Sequence, residues 1–217
     1  MRMDLSQSVV RRTSGAMFFV AAAAILLGII TAEALYPGYH TADNMISDLG
    51  GTEPPGSIVV EPSATIFDTT MIVTGVLIIA AAALLHFARG RLVITVPTAL
   101  MGIGVLGVGL FPGPTGGIHA LFAQLTFFAG GASAVLAFRV TRSPFRFLSL
   151  LLGVVTLANL LLYFALGDAY PMAGLGLGGL ERWIAYPVVI WLLGFGGYLM
   201  AAGGTGDDRL TSGGDTS

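Results

Sequence analysis

The chain has 217 residues, 55% of them hydrophobic and only 10% charged, with a formal net charge of −2. A soluble domain carries about 25% charged residues. Mean hydropathy is +0.85, so a water-soluble fold is excluded and the membrane class comes first. There is no basic excess to point to nucleic acid, and no cysteine for a disulfide, a thiolate metal site or a thiol nucleophile.

A hydrocarbon core of about 30 Å needs about 20 apolar residues of helix. Six runs meet this in chain order, at about 14–35, 64–87, 92–111, 118–138, 145–166 and 183–202. Backbone polar groups in lipid must pair within their own segment, and the alternating polarity of a closed barrel is absent, so all six are expected to be helices. The expected fold is an all-α bundle of six transmembrane helices filling residues 1–202. An outer loop spans about 36–63, and residues 203–217 form a polar, disordered tail. The sequence Arg11-Arg12, an apolar run and Ala32-Glu33-Ala34 imitates a secretory signal. The run is long for one, and an uncleaved first helix is the reading kept.

Arginines set the orientation. Arg2, Arg11, Arg12, Arg89, Arg91, Arg139, Arg142, Arg146 and Arg209 all fall on one side of the six spans, and only Arg182 falls on the other. The positive-inside rule therefore places both termini in the cytoplasm of a cell-membrane protein. Asp43, Asp48, Glu53, Glu61, Asp68, Asp168 and Glu181 gather on the outer side. Glycines crowd the third, fourth and sixth spans, where small residues let helices approach; packing within one bundle is the first reading, and a homo-oligomer face the second.

The polar residues worth weighing converge on the outer half. The segment Asn44-Met45-Ile46-Ser47-Asp48-Leu49-Gly50-Gly51 holds an amide, a hydroxyl and a carboxylate. It reads either as a helix-capping turn or as the wall of a site. His119, after a Phe-Pro-Gly turn, points at the outer mouth. Asn159 and Tyr163 share a stripe of the fifth span, and Asp68 lies just inside the second. Arg182 is expected to pair with Asp48 or Asp168, or to receive a phosphate. Ser47, Asp48 and His119 are candidate catalytic residues for nucleophilic chemistry. His40 and His119 are candidate metal ligands; zinc is the metal considered, although no cofactor motif is present.

Ile46-Ser47-Asp48-Leu49-Gly50, Ile66-Phe67-Asp68 with Gly75, Gly107-x-Gly109-x-Phe111-Pro112 and His119 together resemble the domain of unknown function 998 family. These are multi-pass membrane proteins, many with about six helices. The resemblance runs from about residue 44 to 163. A weaker similarity is to the Frag1/DRAM/Sfk1 membrane proteins, some linked to lipid remodelling. The resemblance implies fold and location and carries no reaction.

The expected function is therefore binding or handling of a lipid or other amphiphile, with membrane lipids as partners. The pocket would comprise Asn44, Ser47, Asp48, Asp68, His119, Asn159, Tyr163 and Arg182. The alternatives are an intramembrane hydrolase or lipid-modifying enzyme, with or without metal, and a transporter. A through-path for the last is hard to draw, because the inner half offers almost no ionisable residue.

Overall fold

The computed structural model describes residues 2–89 and 91–201. It is all-helical, with no strand among the described residues: α1 (Arg2–Ala34), α2 (Ser63–Arg89), α3 (Leu92–Leu110), α4 (Gly117–Ala137), α5 (Phe145–Leu166) and α6 (Gly176–Ala201). All six are long and apolar enough to cross a membrane. An even number of crossings brings both chain ends to one end of the bundle, here the terminal end. The opposite, loop end carries the connections 35–62, 111–116 and 167–175. The tail expected over 203–217 lies outside the described residues.

Two helix starts differ from the sequence reading. The first helix begins at Arg2 rather than near 14, because residues 2–13 hold neither proline nor glycine to stop it. The sixth begins at Gly176 rather than at 183. Glu181 and Arg182 are the charged pair just before the expected start, but both are paired inside the protein, so the helix continues through them.

Helices adjacent in sequence pack against each other throughout, and α1 packs on α6, so the six close a ring. The last seam needs close backbone approach. A Cβ on Gly15 would lie 2.7 Å from the Gly196 carbonyl oxygen, and one on Gly196 would lie 2.6 Å from the Gly15 carbonyl oxygen. Polar staples cross other seams. Ser14 donates to the Ala81 carbonyl at 2.7 Å between α1 and α2. Between α3 and α4 the hydroxyls of Thr98 and Ser133 approach to 3.3 Å, each donating within its own helix, to the carbonyls of Ile94 and Ala129, and Thr156 donates to the Ile184 carbonyl at 3.0 Å between α5 and α6. Each keeps a hydroxyl satisfied where no water is at hand. Phe18, Trp191 and Phe195 are fully buried in the apolar core, with Trp191 stacked on Phe195.

Candidate functional site at the loop end

The segment from Asn44 to Gly51 folds as a 3₁₀ turn over Ser47–Gly50. Asp48 is buried, at 8% exposure, and its Oδ2 accepts the Met45 N–H at 2.8 Å. The carboxylate thus reaches back to an amide ahead of the turn, while the turn's N-cap, Ile46, has no side-chain cap hydrogen bond. Burial pushes the Asp48 carboxyl above the usual carboxylate range, opposed by the Met45 N–H, the Asn44 side chain, His119 and Arg182. The turn ends on Gly51 at φ 129°, a conformation that favours glycine. The Phe111-Pro112-Gly113 turn presses against it, since a Cβ on Gly113 would sit 1.8 Å from the Gly51 carbonyl oxygen.

The two amides that open the turn face a carboxylate on another element. Ile46 N–H and Ser47 N–H both donate to Glu181 Oε2, the second at 3.4 Å. The Ser47 side chain lies beside the same carboxylate. The sequence places Glu181 only among the acids of the outer side. Its partners are backbone amides 135 positions away, and no residue pattern announces them.

Arg182 pairs with Glu33 rather than with the expected Asp48, while the side chain of Asp168, the other expected partner, lies outside what the structure describes. Arg182 Nη2 donates to Glu33 Oε1 at 2.5 Å and to the Tyr39 hydroxyl at 2.7 Å. Its Nη1 donates to the carbonyls of Thr41, Asn44 and Gly178 at 3.0, 3.1 and 2.8 Å. The Glu33–Arg182 pair is 19% and 12% exposed at the side chains. The guanidinium is thus spent on joining α1, the outer loop and α6, and a phosphate would have to displace these partners. Tyr39 in turn donates to the Met45 carbonyl at 2.8 Å. Burial pushes its phenol well up, so it stays protonated for that bond. A Cβ on Gly178 would lie 2.0 Å from the Asn44 carbonyl oxygen, so the loop rests directly on the α6 backbone.

His119 is 3% exposed. Its Nδ1 lies 2.8 Å from the Phe111 carbonyl oxygen. A carbonyl only accepts, so Nδ1 carries the proton and Nε2 is an acceptor in the neutral ring. Nε2 is buried and has no hydrogen-bond partner. Two cavities meet at this point. One, of about 80 Å³, runs into the ring's interior between α1, α2, α3, α4 and α6, among residues such as Ile29, Met71, Met101 and Val188. The other, of about 130 Å³, is a lateral cleft between α4, α5 and α6, bounded by Leu160, Tyr163, Phe164 and Leu177. Ser47, His119, Ala123, Phe127 and Glu181 line both. Phe164 and Leu177 at the cleft's rim are exposed, and the unpartnered Gln124 Oε1 lies on its wall.

The remaining candidates fall elsewhere. Tyr163 lines the lateral cleft. Asn159 lies behind it, donating to the Val155 carbonyl at 2.7 Å and accepting from the Tyr170 hydroxyl. Asn44 is a turn residue whose Oδ1 accepts the His40 N–H at 2.9 Å. Asp68 lines neither cavity. Its Oδ1 is buried without a partner, against the backbone of Gly50, where a Cβ would lie 2.4 Å from it. His40 is exposed beside Asp43, Nδ1 to Oδ2 2.9 Å. Among the described residues no three His, Asp or Glu side chains gather as metal ligands would. The shared wall thus holds Ser47, His119 and Glu181, while Asp48 serves the turn beside it.

Six apolar helices closed into a ring define a multi-pass membrane protein. A family model described as a protein of unknown function, DUF998, matches residues 19–198, and the chain belongs to that family. No curated protein and no solved structure matches the chain.

Proposed function

We propose that the protein binds a slender amphiphile at the loop end, drawn from the outer leaflet of the cell membrane. Its polar group would lie against Ser47, His119 and Glu181. The observation that carries the reading is the meeting of an apolar interior cavity and a lateral cleft at these three side chains, with His119 Nε2 buried and unpaired. A buried acceptor without a partner is costly, and a ligand hydroxyl or protonated headgroup would satisfy it. The interior cavity is narrow, which suits the end of one acyl or isoprenoid chain. Exposed Phe164 and Leu177 at the cleft rim favour entry from lipid rather than from water. The outward orientation rests on the arginines, nine of which lie toward the other side.

Native mass spectrometry of the gently extracted protein is expected to find one bound amphiphile per chain, and His119→Leu is expected to lose it. A wild-type chain that carries none, or a variant that carries as much, would count against the reading.

One observation favours a second reading, hydrolysis of a bound ester: Ser47 and a histidine with a bare Nε2 line the same wall. Ser47 Oγ would attack the ester carbon while His119 Nε2 takes its proton and returns it to the departing alkoxide; water would then release the acyl group. Here the Phe111 carbonyl, not Asp48, orients the imidazole. Labelling of Ser47 by a fluorophosphonate, lost in His119→Leu, would establish this chemistry; an unlabelled wild type would leave binding alone.

A further inference from the structure

At the terminal end, far from the site above, lies a cavity of about 540 Å³. Arginines from three separate parts of the chain line it: Arg11 on α1, Arg91 between α2 and α3, and Arg142 between α4 and α5. Its other walls are apolar or aromatic and include Phe195, Tyr198 and Leu199. No carboxylate among the described residues lines it, and neither Arg91 nor Arg142 has an ion-pair partner among them. The seat of Arg142 is built: its backbone N–H donates to the Tyr198 hydroxyl at 3.1 Å, and Tyr198 stacks on Phe145 with ring centroids 5.3 Å apart. This contrasts with Arg146, whose guanidinium lies over the Phe138 ring at 3.9 Å, and with Arg182, fully engaged at the other end.

We infer that this cavity is a binding site for a phosphate-bearing anion, with the headgroup of an anionic lipid of that leaflet as its source. Converging guanidinium groups recognise phosphate oxygens by charge and by paired N–H donors. The apolar walls below them match the glycerol and upper chain that accompany a lipid phosphate, which a soluble anion lacks. The cavity lies where the helices end, at the depth of a headgroup.

The test uses the full chain in nanodiscs with equal amounts of phosphatidylglycerol and phosphatidylcholine, and reads retained lipid by native mass spectrometry. Phosphatidylglycerol is expected to be retained in preference. Arg91→Gln or Arg142→Gln alone should weaken it about fivefold, so that the two together weaken it about twenty-five-fold. Arg142→Lys should retain most of the preference, and Arg12→Gln, on the exposed side of α1, should leave it unchanged. Displacement of the bound lipid by inorganic phosphate would identify the phosphate group alone as the recognised element; resistance would assign recognition to the whole lipid. Both sustain the anion site. Equal retention of the two lipids in the wild type would overturn it. So would an Arg12→Gln loss as large as the double variant's, since the effect would then be general surface charge. Helical circular dichroism and monodisperse chromatography of each variant separate loss of binding from loss of fold.

Discussion

At the residue scale the loop end is organised by two neighbouring residues of α6 with opposite charges and different tasks. Arg182 takes three carbonyls, a phenol and a carboxylate, while Glu181 takes the amides of Ile46 and Ser47. Arg182→Leu would leave Glu33 charged and largely buried without its partner. The expected cost is about 3–5 kcal/mol, read as a fall in thermal stability in detergent. Glu33→Gln in the same background should restore part of it, because the stranded charge is then gone. If Arg182→Leu alone is as stable as the wild type, the clamp is not structural. Asp48 gives a pH-dependent counterpart. Burial raises its carboxyl in the fold, so the folded state holds the proton more tightly than the unfolded chain does. Stability from this group is present below the ordinary carboxylate value and lost as pH rises from there through the raised one. Asp48→Asn keeps an oxygen for the Met45 N–H and removes the buried charge. The variant is therefore expected to melt above the wild type at neutral pH, with the gap closing on acidification. A gap that does not change with pH would refute this assignment. The sequence made Ser47, Asp48 and His119 visible by residue type. It hid Glu181 and Glu33, because one meets backbone amides and the other an arginine across 149 positions, and neither contact leaves a local pattern.

At the element scale the six spans were legible because hydropathy and length decide them before packing does. The start of α6 was not, because a charged pair reads as an interface until its partners are known. The glycine-rich spans were legible as close-packing surfaces but not as to which surface meets which. Gly104 faces Thr126 of α4, Gly75 faces Leu106 of α3, and Gly15 faces Gly196 across the seam that closes the ring. That seam can be probed directly. A Cβ at Gly15 would meet the Gly196 carbonyl oxygen at 2.7 Å and Leu199 Cβ at 2.9 Å, and a backbone atom cannot turn aside. Gly15→Ala is expected to destabilise the bundle by about 1–3 kcal/mol. Gly197→Ala, one position further along α6, meets nothing within 4 Å. It should be neutral or gain up to about 1 kcal/mol from helix propensity. Thermal melts of the two variants side by side would check the contrast, and equal losses would mean that α1 and α6 are not held at this distance.

At the scale of the whole molecule the two ends differ in kind. The loop end holds a narrow apolar cavity topped by a hydroxyl, an imidazole and a carboxylate, whereas the terminal end holds a wider cavity edged by arginines. A ring of helices explains why the first can exist at all: α1, α2, α3, α4 and α6 each present one face to the centre, and their side chains leave it incompletely filled. Filling that space tests the binding reading without touching a polar group. Ala123 lines both cavities, so Ala123→Leu places apolar volume where a ligand chain would run. A single-chain amphiphile added at about a hundred times its dissociation constant should stabilise the wild type by about 2.7 kcal/mol through mass action. The same addition should leave Ala123→Leu at its ligand-free melting temperature. That temperature should itself lie at or above the wild type's, because an apolar side chain has entered an apolar void. A ligand shift that survives in Ala123→Leu would move the binding place away from this junction. A variant that unfolds early would mean that the ring has no room there. The two failures are distinguishable in a single melting experiment, since one appears with ligand and the other without it.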